Sequence, residues 1–180
     1  MLLTTTEIFA PIQSDLVAVE ARMREAVINQ HPALSDATDH LLTSGGKRVR
    51  PAVALLTARM LDGEPEQAVA LAAAIEMLHT ATLVHDDLID GALLRRGVPT
   101  LNAQWTPAAT VLTGDFLFAR AAELASHTDS VRVMNIFARA LTICVNGEIN
   151  QMFTGRGQVS REGYFQRIYA KTASLFSVAA

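Results

Sequence analysis

Apolar residues recur at helical spacing along most of the chain. Leu16, Val19, Met23 and Val27 step by three and four, which predicts an amphipathic helix within the first thirty residues. His31-Pro32 interrupts it, and Leu34 to Leu42 reads as a second short helix ended by Gly45-Gly46. Pro51 suits the first turn of a helix reaching Leu61, and Asp62-Gly63-Glu64-Pro65 is a turn. From Glu66 to Asp90 the alanine and leucine content is that of a long buried helix. Gly91 to Gln104, with Gly97 and Pro99, predicts a loop. Thr106-Pro107 pairs an N-cap with an N1 proline at the head of a helix reaching His127. Ser130 to Phe153 is a further helix, Thr154 to Gly157 a loop, and Ser160 the cap of a last helix. No stretch alternates with period two for the length of a strand, and no linker divides the chain. The pattern predicts an all-α bundle, with residues 1–180 in a single domain.

Composition narrows the function. Half of the 180 residues are apolar, enough to bury a sizeable core. Lys and Arg number 15 against 18 Asp and Glu, a net charge of −3, and aromatics are 6%. That balance offers neither the basic face nor the stacking platforms of a nucleic-acid binder. The single cysteine, Cys144, excludes an internal disulfide and fits a reducing, cytoplasmic setting. Met1 to Glu7 lacks the basic-then-apolar order of a signal peptide. Ala68 to Val84 is the most apolar stretch, but Glu76 and His79 break it short of the ~20 residues of a bilayer span. It reads as a buried helix, not a transmembrane one.

The chemistry concentrates around His79-Thr80-Ala81-Thr82-Leu83-Val84-His85-Asp86-Asp87-Leu88-Ile89-Asp90. On a helix Asp86 and Asp90 share a face, His79 lies two turns before Asp86 near that face, and Asp87 points about 100° away. Carboxylates at a helix C-terminus repel one another and oppose the dipole, each by roughly 0.3–1 kcal/mol. A hard cation such as Mg²⁺ relieves both costs and accepts phosphate oxygens as further ligands. Cations gather at turns: Lys47, Arg48 and Arg50 after Gly45-Gly46, then Arg95-Arg96, then Lys171-Thr172. Arginine forks phosphate oxygens and lysine adds a point charge, so the set suits polyphosphate groups. Each cluster alone also fits a solvated charged surface. Glu76-x-x-His79 has the spacing of a di-iron carboxylate bundle, of which a second copy does not occur in the sequence.

In order along the chain, these motifs resemble the trans-isoprenyl diphosphate synthase (polyprenyl synthetase) family. Gly45-Gly46-Lys47-Arg48-Val49-Arg50-Pro51 resembles its N-terminal signature. His79 to Asp90 with Arg95-Arg96-Gly97-Val98-Pro99-Thr100 resembles its first aspartate-rich region. Gly114-Asp115, Gly147-Glu148 with Gln151, and Lys171-Thr172-Ala173 resemble later helices. The resemblance implies a helical bundle of the isoprenoid synthase type, a homodimer paired through residues 107–153, and Mg²⁺ as cofactor. It implies condensation of isopentenyl diphosphate with an allylic diphosphate to an all-trans polyprenyl diphosphate. Asp86 and Asp90 would hold Mg²⁺, with Asp87 completing the motif. Arg95, Lys171 and Thr172 would hold the allylic diphosphate, Lys171 acting with Asp86 and Asp90 in catalysis. Lys47, Arg50, His79 and Arg96 would hold isopentenyl diphosphate, with Glu148 and Gln151 lining the cavity.

In such enzymes bulky residues one turn before the aspartates stop elongation. Ala81 and Thr82 are small, so the implied product exceeds C20, and an aromatic ring at either position is expected to shorten it. The family's second aspartate-rich motif does not occur after Lys171. The 180 residues are therefore expected to be a truncated form with one wall of the site, inactive or severely impaired alone. A non-catalytic helical subunit and a di-iron bundle remain the competing expectations.

Overall fold

Thr4 opens the first helix with a capping box: its hydroxyl accepts from the Glu7 N–H, and the Glu7 carboxylate accepts from the Thr4 N–H at 2.7 Å. In this computed structural model, which describes residues 4–28, 31–43, 46–153 and 160–180, α1 (Thr5–Phe9) passes through a 3₁₀ turn (Ala10–Ile12) at Pro11 into α2 (Gln13–Glu25). Val27, predicted as part of this amphipathic helix, therefore lies just beyond its end, although it is buried. Next come α3 (Pro32–Thr43), α4 (Val49–Met60) and α5 (Pro65–Ile89). Gly45 of the predicted Gly45-Gly46 stop and the predicted loop at 154–157 lie outside the described residues.

The stretch predicted as a loop after Asp90 is more ordered. Leu94–Arg95 (β1) pairs antiparallel with Val98–Pro99 (β2) around Arg96 (φ 53°) and Gly97 (φ 81°). Two positive φ values give the turn that suits a tight hairpin. Thr100 then caps the short α6 (Leu101–Gln104). Two-residue strands are too short to show alternation, which is why the pattern missed them.

Thr106 caps α7 (Pro107–Ser126) with Pro107 at its first position, as predicted. α8 (Val131–Phe153) follows, and Ser160 caps α9 (Arg161–Ile168). The predicted last helix is not continuous α-helix. A π-helical turn (Tyr169–Ala173) joins α9 to α10 (Ser174–Ala179).

α5 is the centre of the bundle, packed by α2, α4 and α7. Its 25 residues match the predicted span from Glu66 to Asp90 to within one residue at each end, and by length and composition alone it could cross a bilayer. Here Ala72, Ala73, Ala74 and Ala81 are wholly buried, and α7 packs on it with Gly114 against His85 and with Leu117 and Ala121 buried. Small side chains on both partners let the two backbones approach, so dispersion and burial act over several turns.

The entry to α4 is fixed by charge. Arg48 takes a left-handed conformation (φ 49°), which costs roughly 1–2 kcal/mol without glycine. Its guanidinium donates to Glu20 at 3.0 Å, Glu76 at 3.1 Å and the Leu42 carbonyl at 2.9 Å. Three partners on α2, α5 and α3 hold the Gly46-to-Arg50 segment beside α5.

Candidate active site

The C-terminal half of α5 separates two cavities. Thr82, His85, Asp86 and Ile89 face one, of about 290 Å³, whose other walls include Val111 and Phe118 of α7, Cys144 and Glu148 of α8, and Lys171. Glu76, His79, Leu83 and Asp87 face the other, of about 630 Å³, with Lys47, Arg48, Arg50, Arg95, Arg96 and Phe176. Each set recurs at helical spacing, so one helix presents one face to each cavity.

The first cavity is apolar with a charged group of three. Lys171 Nζ lies 3.2 Å from Asp86 Oδ2 and 2.9 Å from Glu148 Oε1. One ammonium thus serves two carboxylates, and Asp90 stands one turn further on at the exposed helix end. Burial pushes the Asp86 carboxyl up. Lys171 pulls it down, and Glu148 and Asp90 push it up again. Burial also acts against Lys171, but the hydrogen bond it donates to Glu148 and the charge of Asp86 keep its ammonium above the ordinary lysine range. The two partners shift the same way because the lysine is outnumbered. That surplus negative charge is of the kind a divalent cation relieves. Among the described residues no three His, Cys, Asp or Glu side chains are grouped to hold a metal by themselves. A cation such as Mg²⁺ takes only one or two carboxylates and completes its shell with water and phosphate.

Lys171 reaches this position from the π turn, a feature that recurs at functional sites. α8 closes on that turn at Gly147, where an added Cβ would sit 2.5 Å from Ala170 Cβ. Behind it Ser174 donates to the Ala170 carbonyl at 2.9 Å.

Asp87 does not join Asp86 and Asp90. It is buried on the opposite side, and Arg95 binds it through Nε at 2.9 and 3.0 Å and Nη2 at 2.7 Å. The hydrogen bond to Asp87 holds the Arg95 guanidinium above its ordinary range. Arg95 itself opens on the cationic cavity, not on the one holding Asp86. Gln151 also lies apart, in a polar groove with Asn150 and Arg167, because three residues beyond Glu148 it faces α9. Thr172 is exposed and lines neither cavity. Ala81 is wholly buried without lining the cavity beside it, whereas Thr82 does line it.

The second cavity brings Lys47, Arg50, His79 and Arg96 together as expected, with Arg48 and Arg95 beside them. His79 leaves the Asp86 face: seven residues fall about 20° short of two full turns, enough at a dividing ridge to send the two side chains to opposite sides. Burial, then Arg50, Arg96, Arg95 and Arg48, push the His79 imidazole down to about 3. It is a neutral hydrogen-bonding group among cations. Burial also lowers the Arg50 guanidinium, against the pull of Glu76. Arg50 Nε is buried with no hydrogen-bond partner among the described residues. Glu76 is held by Arg48, so the Glu76-x-x-His79 pair is divided between two roles.

The His79 shift predicts an acid-side loss of stability. Between about 6.5 and about 3 the unfolded chain binds a proton at His79 and the native chain does not. As pH falls through that window this costs about 1.4 kcal/mol per pH unit. A His79→Gln chain is expected to show a flatter pH dependence of its urea midpoint there. A slope equal to that of the unaltered chain would contradict it.

Sequence reasoning passed over His85 and Phe176. His85 contacts the Val111 carbonyl at 3.1 Å and packs edge-on against Phe118 at 5.1 Å. Its place next to Asp86 was the available signal. Phe176 lies in the apolar stretch Leu175 to Ala180, which carries no chemical signal of its own.

The polyprenyl synthetase family model matches residues 31–180, and the chain belongs to that family. It is 36% identical to the octaprenyl diphosphate synthase of Escherichia coli over 92% of its own length and 52% of the relative's. Among solved structures it is similar to a decaprenyl diphosphate synthase from Rhodobacter capsulatus (TM-score 0.93, 39% identity, 98% of this chain and 55% of that one). It is equally similar to a polyprenyl synthase from Caulobacter crescentus complexed with calcium and isoprenyl diphosphate (TM-score 0.93, 36% identity, 98% and 54%). The chain spans about half the length of the relatives it matches.

Proposed function

We propose that the chain serves prenyl transfer, joining isopentenyl diphosphate to an allylic diphosphate to give an all-trans polyprenyl diphosphate longer than C20. The observation that carries it is the division of charge across α5. An apolar cavity with surplus carboxylate lies on one face and a cavity rich in guanidinium on the other. The relatives named octaprenyl and decaprenyl diphosphate synthases support the long product.

Asp86 and Asp90 would hold Mg²⁺, which supplies charge stabilisation at a departing diphosphate. Lys171 lies against Asp86 and contributes a fixed positive charge there. The allylic C–O bond breaks with its electron pair leaving on diphosphate. The alkene of isopentenyl diphosphate then forms the new C–C bond, and a proton is lost, for which the released diphosphate is the base. Lys47, Arg50, Arg96 and neutral His79 orient the second diphosphate. Val111, Phe118 and Ile149 exclude water from the cationic carbon. A homodimer through α7 and α8 is part of the proposal, supported by the exposed Leu112 and Ile136. Size-exclusion chromatography tests it.

The two cavities predict opposite metal requirements. Isopentenyl diphosphate should bind by calorimetry without Mg²⁺, and an unreactive allylic diphosphate analogue only with it. Mg²⁺ dependence of both, or of neither, would overturn the assignment. Thr82, not Ala81, faces the tail cavity, so Thr82→Phe is expected to shorten the product. An unchanged product length, read by chromatography, would move the stop elsewhere.

A further inference from the structure

We infer that Phe176 is a positioning residue for the cationic cavity, its ring fixing the plane in which Arg50 meets a diphosphate. The inference rests on the prenyl-transfer reading for the identity of the ligand. The geometry stands apart from it.

The Arg50 guanidinium carbon lies 4.6 Å from the centroid of the Phe176 ring, and both residues line the same cavity. No carboxylate pins Arg50 among the described ion pairs. Glu76 is taken by Arg48 at 3.1 Å and Asp87 by Arg95 at 2.7 Å. Arg50 Nε is buried without a hydrogen-bond partner among the described residues. A guanidinium unpinned at its edge turns about its last side-chain torsion. A π-face beneath it selects one plane and leaves the N–H edge directed outward. That matters because phosphate recognition by arginine is planar and bidentate, so a tilted guanidinium keeps its charge but loses one of two hydrogen bonds.

Phe176 is well placed to hold this plane. α10, which carries it, packs on α4, α5 and α8 and starts directly after the π turn that bears Lys171. The neighbouring Leu175 is 1% exposed and anchors the helix in the core. One short element therefore braces the cation of the second cavity immediately after presenting the cation of the first.

The test uses the complete gene product. Phe176→Leu is expected to raise KM for isopentenyl diphosphate roughly tenfold, with KM for the allylic substrate changed less than about twofold. Phe176→Tyr, which keeps the ring, should stay near the unaltered enzyme. Equal changes in both KM values, no change in either, or failure of Tyr to preserve KM would overturn the proposal. Should Leu lower the melting temperature, Phe176→Met supplies the comparison with an unbranched apolar chain. If the unaltered enzyme forms no product, the prenyl-transfer reading fails. The positioning role is then read from inorganic pyrophosphate binding without Mg²⁺, which Phe176→Leu should weaken roughly tenfold and Phe176→Tyr should preserve. Equal pyrophosphate affinity of the Leu and unaltered chains would overturn it on that arm too.

Discussion

Replacing Asp86 by asparagine is expected to lower kcat/KM for prenyl transfer by roughly 10²–10³-fold while leaving the fold intact. The carboxylate supplies the charge that a divalent cation needs, and its position next to Lys171 places that charge where a diphosphate would depart. Stability should move little, by under about 1 kcal/mol, since burial already works against the ionised form and Lys171 keeps Glu148 at 2.9 Å. Asparagine preserves shape and can still accept from Lys171. Steady-state product formation and a thermal melt on the same preparation check the two halves. Activity within a few-fold of the unaltered enzyme would remove Asp86 from the reaction.

Gly147→Ala is expected to have the largest structural effect. The added methyl would fall 2.5 Å from the Ala170 Cβ, a short side chain that moves only if its backbone moves. α8 and the π turn must then separate, at a cost of about 1–3 kcal/mol for an overpacked contact. For a chain of this size that is a fall of several degrees in melting temperature. The displacement is not neutral for chemistry, because Lys171 directly follows Ala170 and must leave Asp86 or Glu148 as the turn shifts. Weaker Mg²⁺-dependent binding of an allylic diphosphate should accompany the lower melting temperature. An unchanged melt would mean that the helices have room the structure does not show.

These residues mark what the sequence could and could not disclose. Thr106-Pro107 and Ser160 announced their helices because capping is local chemistry, a hydroxyl meeting an N–H three residues on. The grouping of Lys47, Arg50, His79 and Arg96 was implied by the family resemblance across separate motifs, and all four line one cavity. The π turn was not legible, since an i→i+5 bond has no residue signature and Lys171 looked like one more helical lysine. Nor was the left-handed Arg48, whose stabilising partners Glu20 and Glu76 each lie 28 residues away. Asp87 looked like the middle ligand of an aspartate motif. Only the hairpin that returns Arg95 to it shows that its charge is already matched.

The central claim is that α5 separates a carboxylate-bearing cavity for the allylic diphosphate from a cationic cavity for isopentenyl diphosphate. The most direct measurement incubates the complete gene product with Mg²⁺, radiolabelled isopentenyl diphosphate and a short allylic diphosphate, and resolves the extracted products by length. The account predicts all-trans polyprenyl diphosphates beyond C20, with release of one diphosphate for each unit added. Absence of any elongated product with both substrates and Mg²⁺ present would contradict it.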